Sequence, residues 1–390
     1  MKNGFRVIDA DAHMQEPFDL WKDYVEPEFY DRRPVVTDVV GKLFFHYAPG
    51  ELFPEEPSEK SGTGLRPGNA LFVSERVWRH QEVKYGDAFR EFWTPESRIR
   101  DMDRYGWDKQ VLIPGTGSLI NGPRLADKDP ALILALTRAY NNWAADFAST
   151  DASKLKPVVT LPSVGPEQIV AETLRCMTRG EFVTLNLPSA NEGQTWEDAS
   201  YDAVWNTCVD LDMPVSLHGV NAVGPDVRTR YSSKPGIYVA LTHVIGNSLE
   251  DMMSLAHFIF TGILERFPTL RISALEGNVA WVPWLVSRMD DHIEGRQVIF
   301  TDDNTLPRLP SEYFFRQCFV AGDADEKALK YAADYTDGER IVWNTDYPHP
   351  DAPDPDKALD QMLDQPISDE HKRKILWDNP VKLYGERILS

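Results

Sequence analysis

The sequence holds three cysteines in 390 residues, Cys176, Cys208 and Cys318, none of them paired in a CxxC spacing. So sparse and odd a set excludes a disulfide framework and a zinc knuckle, and reads as buried thiols in a reducing compartment. Long apolar runs are missing too: no stretch of about 18 apolar residues occurs, and MKNGFRVIDADAH lacks the apolar segment of a secretion signal. The expectation is a cytoplasmic chain with no membrane partner. Basic charge is short, with 41 Lys and Arg against 61 Asp and Glu and a formal net charge of -20. A nucleic-acid backbone would be repelled, so no nucleic-acid partner is expected. What is present is material for a core: 42% hydrophobic residues, with 18 Phe, 14 Tyr and 11 Trp. At roughly 150 residues per domain, the length fits two or three units or one large α/β barrel.

Eight short apolar runs recur along the chain, each followed by a longer segment of helical spacing. They are Phe5 to Asp9, Gln110 to Pro114, Pro157 to Leu161, Phe182 to Leu187, Met213 to Leu217, Leu270 to Leu275, Cys318 to Ala321 and Arg340 to Asn344. Runs apolar throughout suit parallel strands buried on both faces, and the intervening helices, such as Asp129 to Phe147, Pro166 to Thr178 and Ser248 to Arg266, make βα units. The pattern predicts a (β/α)8 TIM barrel forming a single domain over 1–390. A doubly wound open sheet competes, but it places a Gly-rich turn after its first strand, where this chain has DADAHMQEP. Residues 20–100 exceed a simple connection. With their Pro, Gly and aromatics, they are expected to form an insertion that covers the barrel mouth. Tyr30, Phe44, Phe45, Tyr47, Phe53, Trp78 and Trp93 are assigned chiefly to its packing.

Catalytic groups in a barrel lie at the carboxyl ends of the strands, and polar, metal-capable residues stand where four of the runs stop. They are Asp9, Asp11 and His13 after the first, His218 after the fifth, Glu276 after the sixth, and Asp346 with His349 after the eighth. Alternate strand residues share a face, so Asp9, Asp11 and His13 are expected to point together into the mouth. Carboxylates and imidazoles from separate strands surround a divalent ion while leaving a position open for water or substrate. Taken singly, each has a blander reading. Asp9 could satisfy backbone donors, and His349 could orient Asp346 or bind substrate. Glu276 could be a general base, a ligand, or the partner of Arg288, and Glu16 a helix N-terminal acid or a ligand. The convergence of four strand ends favours a site for Zn, Mn or Fe, as one or two ions, held by Asp11, His13, His218 and Asp346 with Glu276.

At these residues the chain resembles the amidohydrolase superfamily, in the branch with aminocarboxymuconate-semialdehyde and resorcylate decarboxylases. VIDADAHMQEP, RIRDMDRYGWDKQVLIPG, RAYNNWAADFA, SLHG, TGILERFPTLRISALEGNVAWVPWLVSRMD, WNTDYPHPD and ILWDNPVKLYG carry the resemblance in order along nearly the whole chain. It implies a barrel whose metal is held by Asp11, His13, His218 and Asp346. Two departures stand out. The first-strand motif, often HxH, is here Asp11-x-His13, and the strand-six histidine of the decarboxylases is here Glu276.

The implied function is a metal-dependent hydrolase or decarboxylase of a small organic carboxylate or cyclic substrate, with Asp346, Glu276 and His218 as catalytic groups. A carboxylate-rich donor set suits a second reading, a non-haem di-iron oxygenase on the same barrel. A third is a non-catalytic binding relative without stoichiometric metal. His243, His349 and Arg228 are candidate substrate contacts, the last because a guanidinium pairs a carboxylate in two places at once. His257, among Leu255, Phe258 and Ile259, reads as a packing histidine. His46, His80, His292 and His371 have no role assigned. A homo-oligomer through exposed barrel helices is the partner expectation.

Overall fold

The computed structural model describes residues 3–17, 20–39, 42–47, 64–65, 75–115, 129–162, 164–187, 196–218, 234, 240–294 and 306–390. The eight apolar runs become parallel strands: β1 Ile8–His13, β2 Lys109–Ile113, β3 in two segments (Leu155–Pro157 and Val159–Thr160), and β4 Leu185–Leu187. β5 Val215–His218, β6 Ile272–Leu275, β7 Cys318–Asp323 and β8 Ile341–Asn344 follow. One sheet runs from β1 to the first segment of β3, the other from its second segment to β8, so neighbours in sequence are neighbours in space. The two ends then meet. His13 N donates to Tyr347 O at 2.6 Å and Asp346 N to Asp11 O at 3.0 Å, which ties β1 to the end of β8 and completes the expected barrel.

Each strand is followed by a helix: α1 Pro95–Tyr105, α2 Pro130–Ala148, α3 Pro166–Met177, α4 Asp202–Asp210, α5 Asn247–Phe260, α6 Val282–Glu294, α7 Leu329–Thr336 and α8 Pro355–Leu363. Their starts are written in the chain. Thr94 Oγ1 accepts from Ser97 N at 3.3 Å ahead of Pro95, and Asp129 Oδ1 from Leu132 N at 3.0 Å ahead of Pro130. The helix expected over Ser248 to Arg266 is two, because Gly262 takes a left-handed φ of 77° before Ile263–Arg266. One buried cluster joins residues in or beside the strands, Ile8, Ala10, Val111, Ile113, Val158, Val183, Leu275, Phe319, Ala321 and Val342, to Leu383, Tyr384 and Ile388. It fills the barrel and is stoppered from below by the chain's C-terminal turn, where Arg271 Nε donates to Leu383 O at 2.8 Å. Alternate strand residues, such as Leu112, Leu185 and Leu217, join the larger cluster shared with the helices.

The insertion has secondary structure of its own. It contains three antiparallel strands, Pro34–Val39, Lys42–Tyr47 and Gly64–Leu65, and then a helix over Glu75–Tyr85. That helix lies along the loop after β8. Gln81 Nε2 donates to Pro348 O at 3.3 Å and Tyr85 Oη to His349 O at 2.5 Å; His80 Nε2 lies 3.1 Å from Pro350 O. Trp93 is buried as expected, whereas Tyr30 is exposed, and Phe53 lies outside the described residues. The three cysteines are free and buried. Among the described residues, no helix is long and apolar enough to cross a membrane.

Candidate active site

Site residues stand at the rim because the apolar part of each strand ends there. At β1 the alternation expected for Asp9, Asp11 and His13 fails. A register shift between Asp9 and Ala12 against β2 changes which way the side chains point, as a bulge does. Asp9 therefore turns into the wall. Its Oδ2 accepts from Thr345 Oγ1 at 2.6 Å and Gln110 Nε2 at 2.9 Å, and its Oδ1 from Thr345 N at 3.0 Å. Burial pushes this carboxyl up to about 7. Asp9 thus takes the blander of its two readings, a bracket between β1, β2 and β8.

Asp11 and His13 turn the other way, into a chain of contacts that crosses the mouth. Glu276 Oε2 lies 2.8 Å from His218 Nε2, and that nitrogen lies 3.4 Å from Asp11 Oδ2. Asp11 Oδ1 is 3.4 Å from His13 Nε2, which is 3.1 Å from Asp346 Oδ1; His349 Nδ1 ends the chain 2.7 Å from the same oxygen. The His13 and His349 rings stack with centroids 3.9 Å apart and planes 19° from parallel, while His13 meets His218 edge-on at 4.9 Å. Three carboxylates and three imidazoles thus share one buried rim.

Burial opposes charge on His218, but Asp11 and Glu276 overcome it and hold its pKa well above the ordinary value. His349 is likewise opposed by burial and raised by Asp346, to about 9. Burial alone would raise Asp346 and Glu276; His349 with His13 and His218 respectively hold them below the usual carboxylate range. Yet Asp11 Oδ1 and Oδ2, His13 Nε2, His218 Nε2, Glu276 Oε2 and Asp346 Oδ1 are buried and make no hydrogen bond. Buried polar atoms left without hydrogen bonds are costly, and here they converge. Two trios, Asp11 with His13 and His218, and His13 with Asp346 and His349, each place their ligand atoms within 4.8 Å of one another. A divalent cation fits such donors.

The rim is braced from behind. Arg98, fully buried on α1, donates to His13 O and, at 3.2 Å, to Gln110 Oε1, and lies over the Tyr347 ring. His13 Nδ1 lies 3.4 Å from Pro114 O, the outer contact that orients a ligating imidazole. Glu276 and Asp346 both sit at positive φ, 68° and 54°, a sparsely populated conformation for residues with side chains. The Glu276 turn is clamped by the start of α5. Asn247 Nδ2 donates to Glu276 Oε1 at 3.1 Å, Ser248 Oγ to Gly277 O at 2.7 Å, and Asp251 packs against Gly277. Asp251 is 1% exposed with both oxygens lacking a hydrogen bond, and burial raises its pKa far above normal.

Sequence reasoning missed Asn247 and Asp251. Their spacing of four puts them on one helical face, and that face abuts the end of β6. Other predicted residues lie elsewhere. The ionic partner of Glu276 is His218, not Arg288. Glu16 Oε1 accepts from Gly115 N and Tyr140 Oη, both at 2.9 Å, which accounts for it without a metal. His257 Nε2 faces Glu197 at 3.1 Å and its ring meets Trp196, away from the rim. Arg228 and the His243 side chain lie outside the described residues.

The amidohydrolase family model matches residues 8–385, so the chain belongs to the amidohydrolase family. A 2-amino-3-carboxymuconate-6-semialdehyde decarboxylase from Dictyostelium discoideum is 25% identical over 269 residues, 68% of this chain and 70% of that protein. An amidohydrolase structure from Mycobacterium avium subsp. paratuberculosis superposes with a TM-score of 0.72 at 19% identity, covering 98% of this chain and 100% of that one. A dihydroxybenzoic acid decarboxylase from Polaromonas, solved with manganese and 2-nitroresorcinol, gives 0.65 at 18% identity, over 98% of this chain and 97% of that one.

Proposed function

We propose that this chain is a divalent-metal-dependent enzyme acting on an organic carboxylate, with decarboxylation as the reaction the site supports best. The observation that carries the proposal is the convergence of buried Asp11, His13, His218 and Asp346 ligand atoms that lack hydrogen bonds. These residues would hold manganese, or Zn or Fe, which when bound polarises the substrate's carboxylate or carbonyl oxygen. Glu276, 2.8 Å from His218 Nε2, is the group placed to hold and return a proton at Oε2. Asn247 fixes its other oxygen. Cleavage of the carbon–carbon bond releases carbon dioxide, and a proton drawn from solvent and held at Glu276 Oε2 takes its place on carbon. Arg228 and His243 are assigned to the substrate, and the 20–100 insertion to a lid whose Glu75–Tyr85 helix grips the loop carrying His349.

The test is carbon dioxide release from a panel of aromatic and unsaturated carboxylic acids by the manganese-loaded protein. Asp346→Asn and His218→Ala should each abolish turnover while circular dichroism stays native; near-normal rates in either would overturn the assignment. A second reading, an iron-dependent oxygenase, draws on the three carboxylates of the same rim. Oxygen uptake coupled to turnover would favour it, and undiminished anaerobic turnover excludes it.

A further inference from the structure

The bulge in β1 decides which acids reach the mouth. Against β2, Asp9 stands opposite Gln110 and Ala12 opposite Leu112, so three steps of β1 answer two of its neighbour. Closing that bulge would slide the strand end by about 3.3 Å and turn Asp11 and His13 to the face that Asp9 occupies now. One side chain spans the gap. Arg98, fully buried on α1, donates through Nη2 to His13 O beyond the bulge and through Nη1, at 3.2 Å, to Gln110 Oε1. Gln110 Nε2 in turn donates to Asp9 Oδ2 at 2.9 Å on the near side. Asp9, Gln110, Arg98 and His13 thus close a loop around the bulge, and the link to His13 exists only while the bulge does.

The same helix also holds the other side of the seam. Asp101 Oδ2, three residues on, accepts from Tyr347 Oη at 2.6 Å, and the Arg98 guanidinium lies over the Tyr347 ring. Stability does not account for an arginine here. Its hydrogen-bond partners are neutral oxygens, its Nε has none, and a buried charge costs more than an apolar side chain of its size. A planar fork that reaches two acceptors at once does account for it, since an ammonium is a single point of contact.

We propose that Arg98 is a positioning residue: it selects the bulged register of β1 and so turns Asp11 and His13, not Asp9, toward the substrate. Its effect on rate rests on the reading above; its effect on the strand does not. The test variant is Arg98→Lys, which keeps the charge but cannot bond both acceptors. Its kcat on the substrate from the carboxylate panel should fall about 10–100-fold, the usual effect of losing such an outer contact, with KM within about twofold of wild type. In metal-free protein, hydrogen–deuterium exchange should quicken around His13 and Asp346 and stay unchanged over Ile272–Leu275. A merely stabilising arginine would instead lower Tm and speed exchange throughout the barrel, with normal kcat in the folded fraction. Should Arg98→Lys misfold, Gln110→Met cuts the link to Asp9, spares the guanidinium and carries the same expectations. Wild-type kcat, or exchange that is unchanged or uniformly faster, overturns the role of Arg98. Faster exchange confined to the rim, with no panel acid turned over by the wild type, overturns the decarboxylation reading and leaves the register assignment standing.

Discussion

Gly277→Ala is the sharpest probe of how the general base is held. A Cβ at this position would lie 2.0 Å from Asp251 Oδ2 and 2.7 Å from its Cγ, so the turn and α5 must separate by about 1 Å. Asp251 has no solvent to swing into, being 1% exposed. Overpacking of this kind costs about 1–3 kcal/mol. With an unfolding entropy of about 2.1 cal/mol/K per residue, that is a fall of about 1–4 °C in Tm for a chain of this length. The catalytic effect should be larger. If the turn yields, Glu276 moves with it; if the helix yields, it carries away Asn247 and the 3.1 Å contact to Glu276 Oε1. A displacement of about 1 Å at a reacting group costs about 100-fold in rate. The assay is kcat on the substrate found by the carboxylate panel at saturating Mn²⁺, beside a thermal melt. Asp251→Ser in the same chain opens the space and should restore the Tm. A Gly277→Ala protein with wild-type kcat and Tm would refute the clamp.

Removing metal should destabilise as well as inactivate, because the donors come from three different strand ends. At a free Mn²⁺ concentration 100 times Kd, binding contributes about 2.7 kcal/mol. EDTA should therefore lower the melting temperature and Mn²⁺ raise it again; a melt indifferent to both contradicts cation binding. A pH effect is expected from Glu326, whose oxygens accept from Val279 N and Ala280 N at 2.9–3.1 Å, and whose burial pushes the carboxyl up to about 7. The native form keeps its proton while the unfolded chain loses it above the ordinary 4.5. Stability from this group is therefore complete below about 4.5 and lost as pH rises to about 7, at up to about 1.4 kcal/mol per pH unit. Glu326→Gln, which keeps a neutral acceptor, should flatten that slope in denaturant titrations between these values. An unchanged slope assigns it to other groups, such as Asp323, raised by burial to about 6.

The strands were legible because burial on both faces demands unbroken apolar runs, and the rim donors because they stand where those runs stop. His218, Glu276, Asp346 and the Asp11–His13 pair were all found this way. The side on which Asp9 lies was not, since a one-residue register shift leaves no trace in composition and reverses what alternation predicts. The antiparallel strands of the insertion were hidden among Pro- and Gly-rich segments, where no long periodic run announces them. Asn247 and Asp251 look like ordinary polar residues until α5 is laid against the end of β6. His349 was visible, but its partner ring is a matter of tertiary geometry. Positive φ at Glu276 and Asp346 is equally silent in sequence, because neither residue is the glycine such a conformation usually selects.

The seam of the barrel sets an order of events during synthesis. Asp9 and Thr345, 336 residues apart, are bonded across it, and the His13–Tyr347 and Asp346–Asp11 backbone bonds lie beside them. A nascent chain therefore exposes Asp11 and His13 at the ribosome long before their counterparts exist. Any product truncated ahead of Ile341 lacks Asp346 and His349 and carries an open edge for mispairing. Cation capture thus falls at the end of folding, and the loaded protein has already passed a check that its final strand is in place.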